Sequence, residues 1–258
     1  MAFGPLDLTG RVAVVIGGTS GIGRALVDGL VAAGADVVAS SRREAEVETT
    51  AKAIEAAGKR TLRVPCDVAA RASIQKLHDE VIRSFGKVDI LINCAGRTKR
   101  TPTIEVSEEE FDAIMDTNLM GTLRACQVFG RSMIERKYGR IINIASLSSF
   151  VALYEVAAYA ASKSAVASLT RSLAVEWSQH GVCVNAIAPG VFRTALNEKL
   201  LDETPRGAEF LTRTPMARFG KVEELAGAAV FLSSEAASFV NGEILTVDGG
   251  FLASGVNQ

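Results

Sequence analysis

Short runs of branched apolar residues alternate with longer helix-patterned stretches along almost the whole chain, and this restricts the fold more than any other feature. RVAVVIGG (11–18), DVVASS (36–41), RTLRVPCD (60–67), VDILINCAG (88–96), GRIINIAS (139–146), VCVNAIAPG (182–190) and EILTVDGG (243–250) read as strands. Between them, 23–34, 44–58, 72–85, 108–137, 157–180 and 222–234 read as helices. Ser107 and Glu110 carry the capping-box pattern at the start of 108–137. Nearly continuous apolar strands separated by helices predict an α/β fold, a parallel sheet covered on both faces. One stretch breaks the rhythm. Residues 191–220 are polar, hold two prolines and have weak periodicity, as expected of a substrate lid.

The 258 residues are 48% hydrophobic, with no linker or repeat, and are expected to form one domain over 1–258. With 28 basic and 29 acidic residues there is no strong field to hold nucleic acid or an anionic membrane. No apolar stretch reaches a membrane span, and MAFGPLDLTG lacks the pattern of a secretory signal. A cytoplasmic protein with reduced thiols is expected at Cys66, Cys94, Cys126 and Cys183. His78 and His180 are the only histidines, so neither a His/Cys zinc site nor a Ser-His-Asp triad is expected.

GGTSGIG (17–23) joins the first strand to the first helix. Glycines there allow backbone to approach a pyrophosphate, and the helix presents free N–H groups and its positive dipole end. Such a turn can also serve only to pack helix on strand. An acidic residue that would bond a ribose 2′-hydroxyl is absent from the end of the second strand. Ser41, Arg42 and Arg43 stand there instead, a charge pattern that suits a 2′-phosphate unless the arginines simply begin a solvated helix. Tyr159 lies four residues before Lys163, which on a helix sets phenol and ammonium on one face. By spacing alone a surface Tyr–Lys pair is the better reading.

Taken in order, these motifs resemble the short-chain dehydrogenase/reductase family over nearly the whole chain. Its T-G-x-x-x-G-x-G loop matches Ile16 through Gly23, with Ile for Thr; its acidic residue after the third strand matches Asp67, followed by Val68. N-N-A-G matches Asn93-Cys94-Ala95-Gly96, with Cys in place of the second Asn. The helix Asn matches Asn118, the serine Ser146, Y-x-x-x-K Tyr159 and Lys163, and P-G-x-x-x-T Pro189-Gly190 through Thr194.

The resemblance implies a Rossmann-like doubly wound sheet of seven strands in the order 3-2-1-4-5-6-7. It implies an NAD(P)-dependent oxidoreductase acting on CH–OH groups, with no metal. Tyr159 would carry the proton, with Lys163 lowering its pKa; Ser146 would hold the substrate oxygen, and Asn118 would support a water relay. Cofactor contacts are expected from Gly17, Thr19, Ser20, Gly21, Ile22, Gly23, Ser41, Arg42, Arg43, Asp67, Val68, Asn93, Ala95, Gly96, Tyr159, Lys163, Pro189, Gly190, Phe192 and Thr194, and NADP(H) is favoured, with NAD(H) possible.

Arg97, Lys99 and Arg100 put three positive charges beyond the N-C-A-G turn, either a solvated loop or an attraction for an anionic substrate. Arg97, Ser146 and Tyr159 are the expected substrate contacts. AGRTKRTP, RTPMARFG and VDGGFLASGVNQ are similar to gluconate 5-dehydrogenases and related sugar-acid and polyol oxidoreductases. A 3-oxoacyl-[acyl-carrier-protein] reductase is the alternative, although Lys137 and His180 stand where such enzymes carry docking arginines. A non-catalytic NADP(H) sensor is a third reading, opposed by the intact Asn118, Ser146, Tyr159 and Lys163 set. A homotetramer is implied through the helices at 108–137 and 157–180 and the C-terminal segment.

Overall fold

The structure, a computed structural model, describes residues 4–194 and 197–255. Among them six strands form one parallel sheet: β1 Val12–Ile16, β2 Asp36–Ser40, β3 Ile90–Asn93, β4 Gly139–Ile144, β5 Val182–Pro189 and β6 Ile244–Val247, in the order β2-β1-β3-β4-β5-β6. Helices α1 Gly21–Ala32, α2 Glu44–Ala56, α3 Arg71–Phe85, α4 Glu108–Met115, α5 Gly121–Glu135, α6 Ala157–Trp177, α7 Glu198–Asp202, α8 Pro205–Arg213 and α9 Ala226–Ser233 complete the chain.

The apolar strands feed two cores, because alternate residues of a strand face opposite ways. Val12, Val14 and Ile16 pack with Ile74, Leu77 and Val81 of α3 and Phe129 and Met133 of α5. Ala13 and Val15 pack with Leu26, Val27 and Leu30 of α1 and Leu225, Ala229 and Leu232 around α9. Both faces are dry, so neither strand face needs polar residues.

Two expectations are corrected. The sheet has six strands among the described residues, not seven, because 60–67 forms no ladder. It runs beside β2, where Cys66 N–H donates to Ser41 O at 3.0 Å, but Val64 O is taken by the Ser40 hydroxyl at 2.5 Å. Pro65, without an N–H, cannot supply the intervening bond. The remaining strands keep the expected order. Second, the helix predicted over 108–137 is interrupted by one π-turn at Asp116–Met120, which carries Asn118. Ser107 caps α4 by accepting from Glu110 N–H at 3.2 Å, but the Glu110 carboxylate turns to Lys99 at 2.5 Å and Thr101 at 2.8 Å rather than completing the box.

Within 191–220, Phe192 bridges to Gly220, and the chain between them carries α7 and α8. Arg193 holds α7 through Glu198 at 2.6 Å and Asp202 at 2.5 Å.

Candidate active site

The C-terminal ends of β1, β3, β4 and β5 all open on one edge of the sheet, and β1 lies between β2 and β3 where the chain reverses direction across the sheet. Crevices of this kind outside strand ends are where open α/β sheets bind ligands.

At the end of β1 the loop 17–20 turns into α1. Gly17 has φ +84°, and a Cβ there would lie 2.5 Å from Ala95 N; a Cβ on Gly23 would lie 1.9 Å from Gly17 O. Glycine is therefore what lets the loop, the α1 N-terminus and the Cys94-Ala95-Gly96 turn share this space. Ser20, exposed, occupies the N-cap position of α1 without capping it through its side chain, so the first N–H groups are left for a ligand. Gly21 is exposed and Ile22 half-buried against the core. A cavity of about 410 Å³ lies in the groove between α1 and residues 222–226, lined by Arg24, Asp28, Val222 and Glu223, with Gly21 and Thr194 at the end nearest the loop. Gly23→Ala is expected to weaken NADPH binding at least tenfold, measured by titrating the fluorescence of the dinucleotide, because the loop cannot close over the new methyl.

Beyond β2, the Thr19 hydroxyl contacts Ser41 Oγ at 2.9 Å and Glu46 Oε2 at 3.0 Å, and Arg43 pairs with Glu46 at 2.6 Å. Arg42 is exposed and has no ion pair among the described residues. Asp67 accepts from Ala69 N–H at 3.0 Å, and Val68 packs against Gly121, at the inner wall of the same edge. The glycine cradle, the open helix end and the free guanidinium fit a dinucleotide with a phosphate at its ribose. Asn93, by contrast, spends its side chain inside the protein, donating to Asn143 Oδ1 at 2.9 Å, while Asn143 Nδ2 donates to Thr170 Oγ1 at 3.0 Å.

Four side chains converge at the ends of β4 and the start of α6. Lys163 is buried and donates to Ile144 O at 2.6 Å. Its Nζ sits 5.8 Å from the centre of the Tyr159 ring, so the one-turn spacing does bring the pair together. Ser146 Oγ contacts Ser148 Oγ at 3.3 Å and accepts from Ser148 N–H at 3.1 Å, close enough to the Tyr159 phenol to influence its pKa. Asn118, fully buried, donates to Arg97 O at 2.9 Å and Ser162 Oγ at 2.9 Å and accepts from Arg97 N–H at 2.8 Å. It thus pins the loop after β3 to α6. A Cβ on Gly96 would stand in ordinary contact with the site, 3.4 Å from Asn118 Oδ1 and 3.7 Å from Lys163 Nζ, so glycine leaves that space open.

The electrostatics differ from the expectation that Lys163 would lower Tyr159. Burial raises the phenol above its usual value, opposed by the Ser146 hydroxyl, and burial pushes the Lys163 ammonium down to about 8. Desolvation dominates both shifts because each charge must form in a dry site. Cys94, beside them, is pushed up to about 11 by burial and stays a thiol.

After β5, Gly190 packs on Asp248, while Pro189 pairs with Val247. Asn197 gathers the next turn, accepting from Thr194 N–H at 2.8 Å and donating to Phe192 O at 2.8 Å. Phe192 is buried beneath Gly220. At the cleft mouth two of the three basic-loop charges are already paired: Lys99 with Glu110 and Arg100 with Glu155 at 2.5 Å. Arg97 is exposed and forms no salt bridge among the described residues. Arg206 of α8 reaches across to donate to Tyr154 O at 2.8 Å, near Arg100 and Glu155. Tyr154 itself is exposed. Arg206, Ser162, Glu46 and Asn197 were not singled out from sequence; the first three serve groups on other elements, and Asn197 gathers its own loop without a motif to mark it.

Comparison with known proteins agrees with this geometry. The family model described as Enoyl-(Acyl carrier protein) reductase matches residues 16–252. Gluconate 5-dehydrogenase of Gluconobacter oxydans is 40% identical over 96% of this chain and 97% of its own. A 2-dehydro-3-deoxy-D-gluconate 5-dehydrogenase of Dickeya dadantii is 39% identical over 98% and 100%. The crystal structure of a gluconate 5-dehydrogenase from Burkholderia cenocepacia, in complex with NADP and tartrate, superposes with a TM-score of 0.95 at 39% identity, covering 98% of this chain and all of that one. With the ordered motifs gathered at one sheet edge and similarity along its whole length, this chain belongs to the short-chain dehydrogenase/reductase family.

Proposed function

We propose that the protein is an NADP(H)-dependent oxidoreductase that interconverts a secondary alcohol and a ketone on a sugar acid, in the manner of a gluconate 5-dehydrogenase. The observation that carries the reading is the meeting of Tyr159, Ser146 and buried Lys163, whose Nζ lies 5.8 Å from the centre of the Tyr159 ring, at the edge where the glycine loop and Arg42 lie. The names of the relatives support the sugar acid, and the bound NADP and tartrate of the Burkholderia enzyme support both the cofactor and a small polyhydroxy acid at such a cleft.

A bound nicotinamide supplies the hydride acceptor or donor. The chain's own residues handle the oxygen and its proton. Ser146 donates to the substrate oxygen and orients it against the Tyr159 hydroxyl. Tyr159 takes the proton in oxidation and returns it in reduction. Lys163, already hydrogen-bonded to Ile144 O, sits where its proton balances that of the phenol. The space kept open by Gly96 between Lys163 Nζ and Asn118 Oδ1 is the place for a relay water. Segment 191–220 serves as the lid, with Arg206 as its contact to the Tyr154 loop. The unpaired Arg97 attracts the carboxylate. The protein acts in the cytoplasm as a homotetramer; exposed Phe111 of α4, Met120 beside it and Val175 of α6 support a helix-face interface.

The test follows nicotinamide absorbance with D-gluconate and NADP⁺ or NAD⁺, beside acetoacetyl thioester and NADPH. Gluconate oxidation is expected, faster with NADP⁺. Thioester reduction without gluconate turnover overturns the substrate. Arg97→Ala is expected to raise KM for gluconate by about tenfold, with kcat held within about twofold, the loss of one charge-assisted contact.

A further inference from the structure

The hydroxyl chain beyond β2 has a direction that bears on which cofactor it accepts. Thr19 Oγ1 lies 2.9 Å from Ser41 Oγ and 3.0 Å from Glu46 Oε2, and Glu46 Oε2 also receives Arg43 at 2.6 Å. An ionised carboxylate only accepts, whereas a hydroxyl carries one proton. Thr19 therefore gives its proton to Glu46. Its contact with Ser41 must then run from Ser41 to Thr19. Both hydroxyl protons are consumed inside the chain, and neither remains to donate to a phosphate oxygen. Arg43, two-thirds exposed, is held by the same carboxylate, which leaves Arg42 as the free guanidinium. A ribose 2′-hydroxyl, which can itself donate, still finds acceptor lone pairs on Ser41 and Thr19.

We propose that Glu46 is a specificity-determining residue that tempers the preference for a 2′-phosphorylated dinucleotide by holding Thr19, Ser41 and Arg43 in an acceptor arrangement suited to a 2′-hydroxyl. The proposal rests on the dinucleotide lying at this edge. It makes a sign prediction opposite to intuition for a surface ion pair: removing the acid improves binding of the phosphorylated cofactor. A glutamine in its place offers an N–H₂ to Thr19. Thr19 can then donate to Ser41, and Ser41 outward, while Arg43 is released.

Fluorescence titration of NADPH and of NADH gives Kd for wild type, Glu46→Gln, Glu46→Ala and Thr19→Val/Glu46→Gln beside Thr19→Val alone. Thermal melting checks folding of each. Glu46→Gln is expected to tighten NADPH by about fivefold to tenfold, the scale of one charge-assisted hydrogen bond, with NADH unchanged or weaker. Glu46→Ala should give a smaller gain, since it frees Arg43 but donates nothing, and the gain from Gln should shrink in the Thr19→Val background. Equal changes for both cofactors, no change for either, or weaker NADPH binding in Glu46→Gln overturns the proposal. Because the readout is the ratio between cofactors, it holds whichever one the wild type prefers. Wild-type protein that binds neither would instead sink the dinucleotide reading on which the proposal stands.

Discussion

Tyr159→Phe is expected to lower kcat by about 10²–10⁴, the usual span for loss of a positioned acid–base group, while the protein keeps its fold and still binds NADPH. The change removes one oxygen. Ser146 keeps its contacts with Ser148 Oγ and Ser148 N–H, so the 3₁₀ turn Leu147–Ser149 retains its cap. The acids nearby among the described residues are poor replacements: burial holds Cys94 as a thiol, Tyr154 is exposed, and the Lys163 ammonium is bonded to Ile144 O. Steady-state assays, with NADPH titration and a melting curve on the same preparation, separate the outcomes. Turnover retained within tenfold would sink the role given to Tyr159. Loss of turnover together with loss of the fold would point to a structural phenol instead.

The second large effect concerns Lys163. Its ammonium is pushed from the ordinary 10.5 down to about 8 by burial. In the unfolded chain it holds its proton up to the ordinary value. Between pH 8 and 10.5 the unfolded state therefore binds more protons, and stability rises with pH across that window. Below pH 8 the folded protein carries the full cost of a buried charge, about 3 kcal/mol for a shift of this size. Lys163→Met removes it. Part is returned, because Ile144 O loses its Nζ donor, at about 1–2 kcal/mol. A net gain of about 1–2 kcal/mol is expected, or a Tm higher by about 3–6 °C at pH 7. The advantage over wild type should fade as pH rises through 8 toward 10.5. Activity should fall by at least about 10²-fold, since the proton of Tyr159 loses its partner. A Tm advantage that does not vary with pH would contradict the assignment. In wild type, oxidation should quicken as pH passes about 8, where buried Lys163 gives up its proton and can receive the one that Tyr159 takes from the substrate.

Legibility followed the range of the interactions. The loop 17–23 and Tyr159 with Lys163 are readable because local chain geometry carries them, a turn and a helical spacing, whereas the strand order came with the family resemblance. The failures have physical causes of the same kind. Segment 60–67 looks like a strand by its branched apolar residues, yet Pro65 and the Ser40 hydroxyl deny it a ladder. The helix after Ser107 looks continuous, and its π-turn shows only through the contacts that Asn118 makes 21 and 44 residues away, to Arg97 and Ser162. The three charges of 97–100 look alike in sequence, but Glu110 and Glu155 pair with two of them.

What the sequence alone determined is the class of fold, from apolar periodicity, and the family, from the ordered set of motifs; the same resemblance supplied the candidate reacting groups. What the tertiary structure decided is the state of those groups. Whether Lys163 carries its charge easily, which way the Thr19 hydroxyl points, and which arginine of the cleft is free all depend on partners brought from distant parts of the chain into a dry site. There the cost of desolvation, rather than spacing along a helix, sets the balance.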